Sequence, residues 1–105
     1  MALFDLLGRR GTLRVLWELR DSAPQTFRAL QASTGGMSPS VLNERLKELR
    51  DAQVVDPGEG GYCLTESGQQ LLVHLKGLSR WAMHWADALD SPKSLSTVSE
   101  NSNLK

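Results

Sequence analysis

Between Thr26 and Thr65 the chain reads TFRALQASTGGMSPSVLNERLKELRDAQVVDPGEGGYCLT, and this stretch leaves few folds open. Phe27, Leu30 and Gln31 recur at i, i+3, i+4, the spacing of one helical face, behind a Thr26 that can cap the free amides. Gly35-Gly36 breaks the chain, because glycine takes positive φ without steric cost. Ser38-Pro39 then opens a second helix, with a hydroxyl at the cap and a proline where its missing N–H does no harm. Val41, Leu42, Leu46, Leu49 and Val54 make its apolar stripe, and Ser40, Asn43, Glu44, Lys47 and Arg50 fall on the opposite face. Val54-Val55 and Tyr62-Cys63-Leu64 are strand-like runs around a turn at Asp56–Gly61. Helix, turn, helix and hairpin in this order predict a winged helix-turn-helix, mainly α with a small β-hairpin wing, which places one helix in a DNA major groove.

The flanking segments complete that expectation. Leu3, Phe4, Leu6 and Leu7 form a short apolar helix or arm ending at Gly8. In TLRVLWELRDSA, Leu13, Leu16, Trp17 and Arg20 fall at helical spacing, with Thr12 as cap and Pro24 as stop. The longest helix starts at Thr65-Glu66-Ser67 and runs to about Leu89, with a stripe of Leu71, Leu75, Leu78, Trp81 or Ala82, Trp85 and Leu89. Residues 91–105 are polar and serine-rich, the composition of a disordered tail, so residues 1–90 form the domain.

Charge and composition limit the function classes. Twelve basic and twelve acidic residues cancel, which argues against an extended basic coat; residues 1–56 hold eight Arg or Lys against seven Asp or Glu. The single cysteine, Cys63, permits no internal disulfide and suits a reducing cytoplasm. The N-terminus lacks the pattern of a signal peptide, and no apolar run is long enough to span a bilayer. His74 and His84 stand ten residues apart without partner ligands, so neither a metal nor another cofactor is expected. No Ser-His-Asp order, phosphate-binding glycine loop or paired carboxylate site can be made out, which speaks against an enzyme.

The second helix of the motif is therefore the candidate recognition helix. Ser38, Ser40, Asn43 and Lys47 suit base edges, and Arg45 and Arg50 would reach phosphates from its flanks. Arg28 is the best placed of a further set, Arg9, Arg10, Arg14 and Arg28, for phosphate contact. The wing tip, Gly58-Glu59-Gly60-Gly61, is acidic and would repel phosphate. Trp81 and Trp85 lie one turn apart on a helix longer than so small a domain can cover, so that helix and the N-terminal arm, through Leu3, Phe4, Leu78, Trp81 and Trp85, are expected to form a two-fold dimer interface. A dimer sets two recognition helices about one DNA turn apart, as a palindromic operator requires.

The chain resembles the HxlR-type branch of winged-helix bacterial transcription regulators, related to the MarR type, over about residues 4–86. The resemblance lies in LLGRRGTLRVLWEL, TFRALQAST, MSPSVLNERLKELRDAQVV and LTESGQQLL, with Trp81 near a tryptophan common there. It implies a homodimer made by terminal helices, binding to double-stranded operator DNA, and repression or activation of nearby genes. For some members it implies sensing of electrophiles or small molecules. It also places Ser38, Ser40, Asn43, Arg45 and Lys47 on recognition-helix positions used in the family. Three features depart from that pattern: no cysteine precedes Cys63, Gly8-Arg9-Arg10-Gly11 replaces a Gly-Gly-Lys-Trp-like segment, and the wing is short and lacks basic residues. The rival expectation, favoured by zero net charge and the acidic wing, is a winged helix that binds protein and not DNA.

Overall fold

The computed structural model describes residues 2–21 and 23–90. The expected tail, 91–105, lies outside the described residues. Among the described residues, five helices and a hairpin follow in the order α1 (Leu3–Leu7), α2 (Thr12–Glu18), α3 (Phe27–Ser33), α4 (Pro39–Asp51), β1 (Val55–Gly58), β2 (Gly61–Leu64) and α5 (Glu66–Asp90). The chain divides into two compact units, Met1–Leu72 and Val73–Lys105. No described helix is long and apolar enough to cross a membrane.

In the first unit, α2 turns a different face inward from the one its leucines and tryptophan suggest. Thr12, Val15, Leu16 and Leu19 are buried, an i, i+3, i+4, i+7 set, whereas Leu13 and Trp17 are exposed. Trp17 lies under the Arg20 guanidinium at 4.6 Å, so its ring is covered by a cation in place of the core. Thr12 is not the cap: Gly11 holds that position, and the Thr12 hydroxyl is buried without a partner. The helix ends at Glu18, ahead of Pro24.

The helix-turn-helix follows the expected pattern. Thr26 Oγ1 accepts from the Ala29 amide at 3.1 Å, and Ser38 Oγ from the Val41 amide at 3.3 Å, so each helix carries a side-chain cap. Leu30 on α3 and Leu42, Leu46 and Leu49 on α4 are buried together with Leu6, Val15, Leu16 and Leu19. Both helices end in the same two-bond motif. Gly36 N–H donates to Gln31 O and Gly35 N–H to Ala32 O; Val54 N–H donates to Leu49 O and Gln53 N–H to Arg50 O. The residue one past the C-cap is left-handed in each case, Gly35 after α3 and Gln53 after α4.

The hairpin pairs Val55 with Leu64 and Gly58 with Gly61 antiparallel, so the turn is only Glu59-Gly60 and the strands reach further into the expected turn than their side chains suggest. A further pairing is invisible in the sequence: Gln25 bridges Tyr62 through two backbone bonds of 2.9 and 2.7 Å. This approach explains Gly61. A Cβ there would lie 2.3 Å from the Gln25 carbonyl oxygen. At the start of α5, Thr65 Oγ1 accepts from the Gly68 amide and donates to the Gln53 carbonyl at 2.7 Å, which joins the end of α4 to the next helix. Gly68 and Leu72 are the buried residues of this helix start, one step off the expected Leu71 stripe.

In the second unit, α5 alone is described. Val73, Leu78, Trp81, Met83, Trp85 and Leu89 are all exposed. Trp81 and Trp85 stack, with ring centroids 5.6 Å apart and planes 11° from parallel.

Candidate nucleic-acid interface

Three buried leucines hold α4 by one face, so its other face is presented to solvent. Ser40, Asn43, Lys47 and Arg50 lie there exposed, as the period of the helix requires, and the exposed N-cap Ser38 precedes the first turn. Short side chains occupy its first turn and longer cationic ones its last turns. That gradient suits a helix entering a groove N-terminus first, with Arg50 at its far end left to reach the flanking backbone. Arg28, on the first turn of α3, is also exposed.

Arg45 stands apart from this group. Its side chain is only 12% exposed, and its guanidinium lies 3.2 Å from Glu48 and 3.9 Å from Glu44. Arg9 approaches the other oxygen of the same Glu48 carboxylate at 3.5 Å. Two guanidiniums thus converge on one largely buried carboxylate and tie the segment after α1 to α4. Arg14 is likewise committed. It donates to the Ser33 carbonyl at 2.8 Å, satisfying the end of α3, and pairs with Glu18 at 2.9 Å. Arg20 donates to the Trp17 carbonyl and covers its ring.

This partition resolves the small charge excess of residues 1–56. Of the eight basic side chains, Arg9, Arg14 and Arg45 are engaged by carboxylates and Arg20 by the Trp17 ring and carbonyl, although only Arg45 is largely buried. Arg10, Arg28, Lys47 and Arg50 have no ion-pair partner among the described residues. Formal neutrality therefore coexists with unpaired cations on the outer face of α4: Glu18, Glu44 and Glu48 engage Arg14, Arg45 and Arg9, while Lys47 and Arg50 stand unpaired beside the exposed Glu44 and Asp51.

Among the described residues, concavities lie along α4. One, of about 570 Å³, lies at its N-terminal end against Arg10 and the Gly35-Gly36 turn. Another, of about 210 Å³, is lined by Asn43, Leu46, Lys47, Arg50, Asp51 and Tyr62. Tyr62 was legible in the sequence only as a strand residue; it reaches the recognition face because the Gln25 bridge fixes its strand. Glu48 was also missed, although its i, i+3 relation to Arg45 was there to be read. The wing carries Glu59 at its two-residue turn and no cation between Val55 and Leu64.

Residues 6–90 match the HxlR-like helix-turn-helix family. An HTH-type transcriptional regulator of Methanocaldococcus jannaschii is 31% identical over 91 residues, covering 84% of this chain and 86% of that protein. The HTH-type transcriptional regulator YodB of Bacillus subtilis is 30% identical over 95 residues, with 84% of each chain covered. The crystal structure of quinone-bound YodB superposes with a TM-score of 0.71 at 32% identity, covering 77% of this chain and 91% of that one. A possible HxlR family transcriptional factor from Thermoplasma volcanium also gives 0.71, at 28% identity and with 82% and 83% covered. The chain therefore belongs to the HxlR-like helix-turn-helix family, whose fold is the winged helix and whose members here are DNA-binding transcriptional regulators, not enzymes.

Proposed function

We propose that this HxlR-like protein is a cytoplasmic, sequence-specific regulator that binds a two-fold operator as a homodimer. Ser38, Ser40, Asn43 and Lys47 read base edges, and Arg28 and Arg50 contact phosphates. The observation that carries this reading is the division of the arginines and lysines: Arg9, Arg14 and Arg45 pair with acids and Arg20 covers Trp17, whereas Arg28, Lys47 and Arg50 are exposed and have no ion-pair partner among the described residues. Phosphate contacts supply most of the affinity and the polar first turns of α4 the discrimination. Leu3, Phe4, Leu78, Trp81 and Trp85, all exposed in the single chain, become the dimer interface.

Fluorescence anisotropy of labelled random-sequence duplex, titrated at low and moderate salt, tests the reading. Affinity that falls steeply with salt supports it, since neutralised phosphates release counterions. A folded dimer that leaves the duplex unbound at low salt would refute it and favour the protein-binding alternative, for which the acidic wing speaks.

The quinone bound to YodB supports a small-molecule response here as well. This chain has no cysteine before Cys63, so such a response rests on non-covalent binding or on Cys63 itself. Trp17, Trp81 and Trp85 supply the fluorescence by which a quinone titration reads it. Unchanged emission, with unchanged DNA affinity, would remove the effector from the proposal.

A further inference from the structure

The concavity at the N-terminal end of α4 is not explained by packing. Its wall runs from Arg10 and Arg14 across Gly35 and Gly36 to Ser38 and Val41. No acidic residue lines it. Arg14 is held by Ser33 and Glu18, which leaves Arg10 as the one guanidinium on this wall without a partner among the described residues. The glycines form a bare stretch of backbone: a Cβ built on Gly35 or Gly36 would meet nothing within 4 Å. Their side of the turn is thus open space, and a ligand can approach the main chain there without displacing a side chain. The Gly35 and Gly36 amides are spent on closing α3, so the donors on this open wall are the Arg10 guanidinium and the Ser38 hydroxyl, which with no competing carboxylate suit a phosphate group.

We infer that this concavity is a cradle for one backbone phosphodiester of the DNA, with Arg10 as its charged contact. The inference rests on the DNA-binding reading and adds to it a contact outside the helix-turn-helix itself, from the segment joining α1 to α2. Its geometric value is orientation. Arg9, the adjacent residue, is anchored to Glu48 on α4, so the backbone that presents Arg10 is fixed to the recognition helix. A phosphate held by Arg10 sets how far the first turn of α4 enters the groove. Arg10 is accordingly a positioning contact that carries no base preference of its own.

The test measures the salt dependence of binding to random-sequence duplex for the full chain and for Arg10→Ala, Arg10→Lys and Arg20→Ala. Arg20 carries the same charge but is spent on Trp17, so its removal controls for net charge. We expect Arg10→Ala to weaken binding equally on all sequences and to lower the slope of log affinity against log salt by about 0.9, one phosphate contact. Arg10→Lys should restore the slope, and Arg20→Ala should leave it unchanged. Thermal melting of each variant separates loss of contact from loss of fold. A wild-type protein that does not bind duplex overturns the DNA-binding reading, and this inference with it. A wild-type protein that binds, with Arg10→Ala showing an unchanged slope, overturns the cradle alone. The same holds if inorganic phosphate competes for Arg10 but leaves DNA affinity untouched, since the anion there would then be a free one.

Discussion

Gly35 and Gln53 occupy the same position, one residue past the C-cap, on the two helices of the helix-turn-helix, with φ of 78° and 61°. Each N–H donates to the carbonyl three residues back, and the following residue closes the outer bond. The geometry is shared, but only one of the two residues suits it. A side chain in the left-handed region costs about 1–2 kcal/mol, and introducing glycine returns roughly 0.4–1 kcal/mol of that through the freer unfolded chain. Gln53→Gly should therefore stabilise the fold by about 0.5–1 kcal/mol. Gly35→Ala, the reverse change, should destabilise it by about 0.5–1 kcal/mol on the same balance. Urea unfolding at constant m-value checks both; a lower midpoint for Gln53→Gly would show that its side chain makes a contact outweighing the backbone strain.

Gly68 tests packing against helix propensity. Alanine is favoured over glycine inside a helix by about 1 kcal/mol. A Cβ at Gly68, however, would lie 2.2 Å from the Val54 carbonyl oxygen and 3.2 Å from Leu64. The nearer obstacle is backbone, in the bend between α4 and β1, and cannot rotate aside. Overpacking of this kind costs up to about 3 kcal/mol, so the steric term wins. Gly68→Ala is expected to lower the melting temperature by on the order of 10 °C. A neutral result would mean that the start of α5 shifts away from Val54 at little cost.

Arg45 and Lys47 should separate stability from recognition. Removing Arg45 leaves Glu48, whose side chain is only 14% exposed, without its nearest cation. Arg45→Ala is expected to cost about 1–3 kcal/mol of stability, through an unsatisfied and largely buried charge. Lys47→Ala should leave stability within about 0.5 kcal/mol, as exposed substitutions do. On a duplex selected from a random pool, it should weaken binding by about tenfold and relax the sequence preference, the loss of one groove contact. The reverse pattern, with Lys47→Ala unfolding the protein and Arg45→Ala altering only DNA affinity, would mean that α4 faces the other way in the complex.

The elements were legible because their signals are local. Caps at Thr26 and Ser38, the glycine break and the leucine stripe of α4 each act within one or two turns, and each is where the periodicity puts it. What could not be read depends on partners distant in sequence. Trp17 looks like a core residue by hydrophobicity, but the Thr12, Val15, Leu16 and Leu19 face is the one that meets α3 and α4. Arg45 has the residue type and helix position of a DNA contact, and its role is set by Glu48 and by an Arg9 that comes from another segment. Tyr62 joins the recognition face only through Gln25, which no strand pattern marks.

The stacked tryptophans carry the remaining prediction. Trp81 and Trp85 are each more than half exposed, and Leu78, Met83 and Leu89 add apolar surface to the same 25-residue helix. Surface of that character on one helix marks an interface, and in a two-fold dimer the same patch serves both partners. Loss of a buried aromatic anchor from an interface costs about 2–4 kcal/mol, or roughly 30- to 1,000-fold in dissociation constant. Trp85→Glu, which adds a charge to the patch, is expected to convert a dimer at micromolar concentration into monomer by sedimentation equilibrium, with helicity by circular dichroism retained. Operator binding should weaken in parallel, because each half-site then has to be engaged separately. A wild-type chain that sediments as a monomer, or a Trp85→Glu variant that remains a dimer, would place the interface elsewhere and leave these tryptophans without a role in assembly.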